Sequence, residues 1–214
     1  MTLIEELPPL EIPGHRASGL GSDEHPMRIM TRRAAGLAPG GWDAEARGRV
    51  ESAFDELSCE WHTRTSPQRT AVVIDALERG GVAGGAVAVE VGSGIGNYSV
   101  LLAERFGTVA AVDLSLGMLR LAPAGPATRI QADAAELPVR TGCADAVVLI
   151  NALLFPVEVD RVLAPDGSVT WVNSSGDQTP IHLRTEEVAE VLPGEWRGVA
   201  SRAGQGSWCV LRRS

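Results

Sequence analysis

Three alternating glycines with carboxylates before and after them are the residues of this sequence best suited to binding a ligand. Gly92, Gly94 and Gly96 follow a short apolar run that contains Glu90. Glycine adopts positive φ angles and has no Cβ, so such a loop turns sharply and lets a ligand approach the backbone. Asp113 ends the next apolar run, at the interval where a carboxylate accepts hydrogen bonds from the hydroxyls of a ribose. The spacing therefore predicts a ligand that contains a nucleoside.

The glycine loop departs from the pattern of dinucleotide-binding proteins. That pattern is G-x-G-x-x-G/A, in which the third small residue lets the helix pack closely on the strand. Here Asn97 occupies the third position, and the acidic Glu90 lies close to where a pyrophosphate would bind. A cationic nucleoside suits that acid better, and S-adenosylmethionine carries both a sulfonium and an ammonium group. A nicotinamide-dependent oxidoreductase is therefore the weaker interpretation.

The basic residues restrict the chemistry further, because all 19 of them are arginines and lysine is absent. Without a lysine the chain cannot hold pyridoxal phosphate as a Schiff base, and it cannot build a P-loop. Tyr98 is the only tyrosine, so the tyrosine–lysine pair of short-chain dehydrogenases is excluded as well.

The overall composition favours a cytoplasmic protein. The formal charge of −8 disfavours broad binding to nucleic acid, because the surface repels polyanions. Cys59, Cys143 and Cys209 are widely separated and odd in number, which predicts neither a disulfide framework nor a zinc site. The acidic, proline-containing start does not resemble a signal peptide, and no apolar run approaches the roughly 20 residues that span a membrane.

From residue 86 onward, apolar runs alternate with helical patterns, which is typical of a doubly wound α/β fold with a mostly parallel sheet. The predicted strands cover residues 86–91, 108–113, 127–133, 144–150 and 167–173. The predicted helices cover residues 97–106, 115–122, 154–163 and 185–192. The last 20 residues or so, by the same pattern, predict a hairpin around Gly204–Gly206, which would add an antiparallel edge.

The residues before this core predict two further parts. Residues 1–45 show weak periodicity and predict an extended arm that either docks on the core or stays mobile, with a short helix over 25–36. Residues 46–82 predict a cap of two helices, the second with Ser66 as its N-cap. The core itself is expected to begin at residue 83 and to run to residue 214.

Four segments of the core resemble the class I S-adenosylmethionine-dependent methyltransferases, and in particular their small bacterial members. In chain order they are VEVGSGIGN (89–97), VDLS (112–115), QADAAELP (131–138) and RVLAPDGSV (161–169). The resemblance implies S-adenosylmethionine as cofactor and S-adenosylhomocysteine as product. It also implies a Rossmann-like sheet of seven strands in the order 3-2-1-4-5-7-6, with the last strand antiparallel and a helical cap before it.

The resemblance assigns the methionine part of the cofactor to Glu90, Gly92, Ser93, Gly94 and Gly96. It places Asn151, which ends the fourth core strand, near the reacting methyl group. These residues are expected to form one end of the cofactor site.

The same resemblance assigns the adenosyl part of the cofactor to the ends of the second and third core strands. Asp113 is expected to bind the ribose hydroxyls, while Leu114 or Met118 contacts the adenine. Asp133 is expected to accept a hydrogen bond from the adenine amino group, beside the backbone of Ala134.

Two features separate this sequence from other members of that family. The segment 151–163 is short where many members have a longer, histidine-containing helix, and the N-P-P-Y sequence of nucleobase amino-methylation is absent. The metal-dependent catechol type needs a lysine, which this chain lacks. The expected acceptor is therefore a small molecule, and neither a nucleic acid nor a membrane is an expected partner.

Two histidines are the candidate catalytic bases, which are needed only if the nucleophile arrives protonated. His62 follows Trp61 between the two cap helices, and His182 follows the fifth core strand. Each has a competing interpretation, as a residue at a helix end or in a surface loop. Cys59 and His62 have the spacing of half a metal site, but no second pair exists, so no metal is predicted.

The sequence leaves three functions open. The first is methyl transfer to an oxygen or nitrogen of a small molecule, with bacterial secondary metabolism as a setting suggested by analogy. The second is a cofactor-binding protein of the same fold that transfers no methyl group and serves as a regulatory or partner subunit. The third is an NAD-dependent oxidoreductase. The acceptor is not identified, and a homodimer formed through the arm remains open.

Overall fold

The computed structural model describes residues 3–214, which form one eight-stranded sheet with helices on both faces. The strands are β1 (Leu3–Glu6), β2 (Gly85–Val91), β3 (Phe106–Asp113), β4 (Thr128–Gln131), β5 (Ala144–Ile150), β6 (Leu163–Asn173), β7 (Trp196–Ala203) and β8 (Gly206–Arg213). The α-helices are α1 (Pro26–Ala34), α2 (Ala44–Leu57), α3 (Pro67–Arg79), α4 (Ser99–Ala103), α5 (Leu116–Leu121), α6 (Pro156–Val162) and α7 (Thr185–Val191). Two 3₁₀ helices cover Ser58–Arg64 and Gly176–Gln178.

The strand order is β1-β7-β8-β6-β5-β2-β3-β4. From β2 to β8 this is the predicted order 3-2-1-4-5-7-6, and β8 runs antiparallel to both β6 and β7. The predicted α/β class and the order of these seven strands are confirmed. The predicted strand count is corrected, because β1 adds an eighth strand to the edge of the sheet.

The eighth strand comes from the arm and pairs in parallel with β7. The N–H of Leu7 continues the pairing by donating to the carbonyl of Ala200 at 2.8 Å, and that of Leu10 donates to Arg202 at 2.9 Å. The side chains of β1 are mostly exposed. Main-chain hydrogen bonds therefore hold this short strand, and a hydrophobic pattern could not have revealed it. The division into arm, cap and core remains a prediction.

Alternate residues of the central strands face two separate cores, as the strand pleat requires. On one face, Ala88 of β2 packs with the α3 residues Val73 and Leu77. On the other face, Val89 and Val91 of the same strand belong to a core that α6 and α7 cover. Because the central strands are buried on both faces, they appear in the sequence as nearly continuous apolar runs.

Two helices differ from their predicted ranges. The helix predicted through residue 62 is α-helical only to Leu57 and then tightens into the 3₁₀ helix Ser58–Arg64. The helix predicted over 97–106 is limited to Ser99–Ala103, because Phe106 already pairs with Gly85 as the start of β3. The predicted Ser66 cap of α3 is present, with its hydroxyl accepting a hydrogen bond from the Arg69 N–H at 3.2 Å.

The arm is fixed to the core at Arg28, a buried arginine of α1. Its guanidinium donates to the backbone carbonyls of Asp177, Thr179 and Pro180 at 2.6, 2.9 and 3.1 Å. These carbonyls belong to the connection between β6 and α7. Because a buried guanidinium needs several acceptors, the three bonds join α1 firmly to that connection.

Candidate functional site

A cavity of about 690 Å³ lies at the carboxyl ends of β2, β3, β4, β5 and β6. In a doubly wound sheet this edge is where ligands bind, because the connections diverge there and leave a crevice. Residues of the arm, including Ser18, His25 and Trp42, cover the crevice together with Phe54 and Trp61. The described part of the arm therefore docks on its own core and helps to enclose the cavity.

The glycine loop is one wall of the cavity, and its backbone requires glycine. Gly92, Gly94 and Gly96 have φ angles of 68°, 56° and 75°, which are strained for other residues. A Cβ at Gly92 would also lie 2.7 Å from the Cβ of Ala152. The close approach of these two segments places the loop directly beside the end of β5.

Asp113 ends β3 inside the cavity and fixes the glycine loop through its carboxylate. One oxygen accepts from the N–H of Gly94 at 2.7 Å, and the other accepts from the N–H of Ser115 at 2.8 Å. Burial raises the pKa of Asp113, and these two backbone N–H groups act in the opposite direction. The remaining lone pairs of both oxygens are available to a ligand in the cavity.

Asp133 lies at the adjacent wall, after β4, and is bound by the arm. Its carboxylate accepts from the indole Nε1–H of Trp42 at 2.9 Å and from the backbone N–H of Ala135 at 2.9 Å. The Trp42 ring packs edge-on against Phe155, with a centroid distance of 5.0 Å. A contact between the arm and the third core strand was not predicted, and the printed sequence contains no signal for it.

Most of the residues that the resemblance assigned to the cofactor come together around this cavity. Those that line it are Gly92, Ser93, Gly94, Asp113, Leu114, Met118, Asp133, Ala134 and Asn151. Asn151 is the only non-glycine residue with a positive φ, at 51°, within residues 3–214. Its side-chain amide exchanges hydrogen bonds of 2.9 Å with Ser174, which hold the ends of β5 and β6 together. The individual roles of these residues remain predictions.

Glu90 and Gly96 lie outside the cavity lining, unlike the rest of that set. Glu90 alternates with Val89 and Val91 along β2, so its side chain faces α4 on the other side of the sheet. There it is 2% exposed and accepts a hydrogen bond of 2.5 Å from the Ser99 hydroxyl. Burial raises the pKa of Glu90 to about 7. The carboxylate therefore acts on the site from below, through its charge.

Replacing Glu90 by glutamine is expected to change how stability depends on pH. The folded-state pKa of about 7 lies above the ordinary value of 4.5. Between these values the folded protein keeps a proton that the unfolded chain loses, so the free energy of unfolding falls as the pH rises from 4.5 to 7. The fall should amount to about 3 kcal/mol, and Glu90→Gln should remove it.

Urea unfolding of both proteins at several pH values measures this difference. Glu187→Gln is the matched control, because the arginines around Glu187 outweigh its burial and hold its pKa at about 2. Its contribution is lost only as the pH falls below 4.5, so it stays constant over the window tested. Parallel curves for the wild type and Glu90→Gln would contradict the assignment.

Neither of the two candidate catalytic histidines lines the cavity. His62 is exposed at the end of the 3₁₀ helix, although its neighbour Trp61 does face the cavity. His182 is half-buried, and its pKa is lowered by burial and by the nearby charge of Arg28. A histidine that the sequence did not single out, His25, lines the cavity instead.

His25 is held as the N-cap of α1 by its own ring. Its Nδ1 accepts a hydrogen bond from the Met27 N–H at 3.1 Å, so the neutral imidazole carries its proton on Nε2. In this tautomer the ring offers a donor rather than a base. The sequence signal for this residue was its position directly before Pro26, which is typical of a helix start.

Two searches for other kinds of site gave limited findings. Within residues 3–214, no group of three or more His, Cys, Asp or Glu side chains is arranged to hold a metal ion. None of the helices in this part of the chain is long and apolar enough to cross a membrane.

The sheet order and the cavity at its carboxyl edge define a Rossmann-like fold of the class I methyltransferase type. Residues 89–170 match the family model described as a methyltransferase domain. The resemblance to the class I S-adenosylmethionine-dependent methyltransferases is thereby confirmed. The expectation of S-adenosylmethionine as cofactor and S-adenosylhomocysteine as product is confirmed at the level of this domain class. No curated protein matches the chain.

Solved structures share the fold at low sequence identity. A DhpI–SAH complex is 20% identical, with a TM-score of 0.64 over 76% of this chain and 94% of that one. An S-adenosylmethionine-dependent methyltransferase from Aquifex aeolicus is 18% identical, with a TM-score of 0.60 over 72% and 96%. The [4+2]-cyclase SpnF is 19% identical, with a TM-score of 0.51 over 59% and 60%. The chain spans between 45% and 59% of the length of several other matched structures.

Proposed function

We propose that this protein transfers the methyl group of S-adenosylmethionine to an oxygen or nitrogen of a small molecule. The observation that carries the proposal is the contact between Asp113 and the glycine loop at the cavity wall. The Asp113 carboxylate holds the Gly94 N–H at 2.7 Å and still has lone pairs free for two ribose hydroxyls.

The described residues fit an adenosyl cofactor on independent grounds. The Ser93 hydroxyl is 6% exposed, lines the cavity and has no hydrogen-bond partner in residues 3–214. Leu114 and Met118 supply an apolar surface beside Asp113, as an adenine ring requires. The volume of about 690 Å³ lies in the range of roughly 300–1,000 Å³ that is usual for ligand sites. That volume leaves room for an acceptor beside the cofactor.

S-adenosylmethionine, when bound, supplies a methyl group on a sulfonium, which needs no further activation. The protein has to align the acceptor and exclude water. The aromatic cover formed by Trp42, Phe54 and Trp61 encloses the cavity and performs the second task. With His25 in its donor tautomer, the imidazole positions the acceptor and does not deprotonate it.

A second candidate function is a protein of the same fold that carries out no methyl transfer. The SpnF structure favours keeping it, because that protein is described as a cyclase and shares the fold. A regulatory or partner subunit belongs to the same alternative. The NAD-dependent oxidoreductase has less support, because the cavity has a carboxylate on the glycine loop where a pyrophosphate would need to bind.

Calorimetric titration separates these functions at the level of the cofactor. We expect S-adenosylhomocysteine to bind with one site per chain and NADH to show no saturable binding. Tight NADH binding would overturn the proposal. Incubation with a radiolabelled methyl donor and a panel of small acceptors then separates methyl transfer from binding alone. A cytoplasmic location, a role in secondary metabolism and a homodimer through the arm are further predictions of this proposal.

A further inference from the structure

The mouth of the cavity is lined by arginines. Arg64 and Arg69 line the main cavity, and both also border an adjoining depression of about 250 Å³. Arg16 of the arm reaches the same depression. The depression contains no acidic side chain, and it lies at the beginning of α3, where backbone N–H groups point outward.

These arginines are held by uncharged partners. The Arg69 guanidinium donates to the backbone carbonyl of Arg64 at 2.5 Å. The Arg64 guanidinium lies over the ring of Trp61, 5.6 Å from its centroid. Among residues 3–214, none of Arg16, Arg64 and Arg69 is within ion-pair distance of a carboxylate, although the chain carries 27 acidic residues against 19 basic ones. Three neighbouring positive charges are therefore left without a counterion.

A second observation points to a polar ligand in the same cavity. The Ser175 hydroxyl is 2% exposed, lines the cavity and has no partner in the described chain. Tyr98, whose pKa is raised by burial although the charge of Arg69 opposes this, offers a protonated phenol there. A buried hydroxyl without a partner is costly, so a ligand that accepts hydrogen bonds would satisfy both groups.

We propose that the acceptor molecule carries an oxyanion, either a carboxylate or a phosphoryl group, that Arg64 and Arg69 bind. The inference rests on the proposed function. Trp61 separates Arg64 from the glycine loop, since a Cβ built on Gly94 would meet the Trp61 indole nitrogen at 3.5 Å. Arg64 thus lies on the outer side of the tryptophan, away from Asp113 and Asp133. The methionine carboxylate of the cofactor has the same chemistry, so the experiment has to distinguish the two sources.

The test uses small aromatic probes, because aromatic rings line the cavity. Protein saturated with S-adenosylhomocysteine is titrated with benzoate, phenyl phosphate and the neutral benzamide in a calorimeter. We expect the anions to bind at least ten times more tightly than benzamide. Arg64→Gln and Arg69→Gln should each lower anion affinity about tenfold or more, because each removes a charged partner. Arg49→Gln is the control, since Arg49 is exposed on α2 and pairs with Glu45.

The outcomes separate the two proposals. Equal affinities for benzoate and benzamide, or unchanged anion affinity in both variants, would overturn the inference and leave the proposed function intact. A loss of S-adenosylhomocysteine binding in these variants, with binding of 5′-methylthioadenosine unchanged, would assign the arginines to the cofactor carboxylate and overturn the inference. If S-adenosylhomocysteine fails to bind the wild type, the proposed function fails, and the same titrations on the free protein still test the arginine site.

Discussion

Replacing Gly92 by alanine is expected to reduce the affinity for S-adenosylhomocysteine at least about 100-fold and to lower stability by about 2–5 kcal/mol. Two effects add at this position. The φ of 68° strains any residue with a side chain, at about 1–2 kcal/mol. The new Cβ would also lie 2.7 Å from that of Ala152, so the loop must move away from β5. Calorimetry and urea unfolding measure the two losses.

The chain offers a matched control and a rescue for this change. Gly142 has nearly the same φ, 67°, but a Cβ there would meet nothing within 4 Å. Gly142→Ala should therefore show the strain alone and keep full cofactor affinity. Combining Gly92→Ala with Ala152→Gly removes the collision and should restore part of both losses. A double variant no better than Gly92→Ala would show that the contact with Ala152 does not position the loop.

Replacing Asp113 by alanine should weaken S-adenosylhomocysteine binding about 100-fold, or about 3 kcal/mol. The variant loses the acceptor for the N–H groups of Gly94 and Ser115 as well as the acceptor proposed for the ribose. The ribose role has its own measurement, because affinity for adenosine should fall more than affinity for adenine. Equal losses for adenosine and adenine would contradict that role.

Asp145 provides the control for this second change. Its carboxylate also accepts two backbone N–H groups, from Ala86 and Val87 at 2.7 and 2.9 Å, but at the opposite end of β2 from the cavity. Asp145→Ala should therefore destabilise the protein, as Asp113→Ala does, and leave cofactor affinity unchanged. If both variants lose cofactor affinity equally, the effect of Asp113 is a general loosening of β2 and β3.

The sequence predicted the features that depend on local pattern and chain order. Buried strands with helices between them determine a doubly wound sheet, and the glycine loop follows the first core strand with only a short gap. Asp113 and Asp133 were found for the same reason, because each lies at or just beyond the end of a strand whose neighbours are set by the fold. The carboxyl ends of these strands then meet at one edge.

The features that sequence reasoning missed depend on contacts between distant parts of the chain. Trp42 reaches Asp133 across a separation of 91 residues, and no pattern in either segment indicates this. Arg64 and Arg69 meet the arm only after the cap has folded onto the core. Glu90 was assigned to the crevice, but the strand pleat turns it to the opposite face. Histidine type alone selected His62 and His182, and the fold leaves both outside the cavity lining.

The three carbonyl bonds of Arg28 restrict how the cavity can open. If α1 moved away from the connection between β6 and α7, a buried guanidinium and three carbonyls would lose their partners together. Ligand exchange on this side therefore has to carry α1 and residues 177–180 as one rigid unit. The pairing of β1 with β7 keeps the start of the arm in place during that movement, so the entrance can open while the edge of the sheet stays intact.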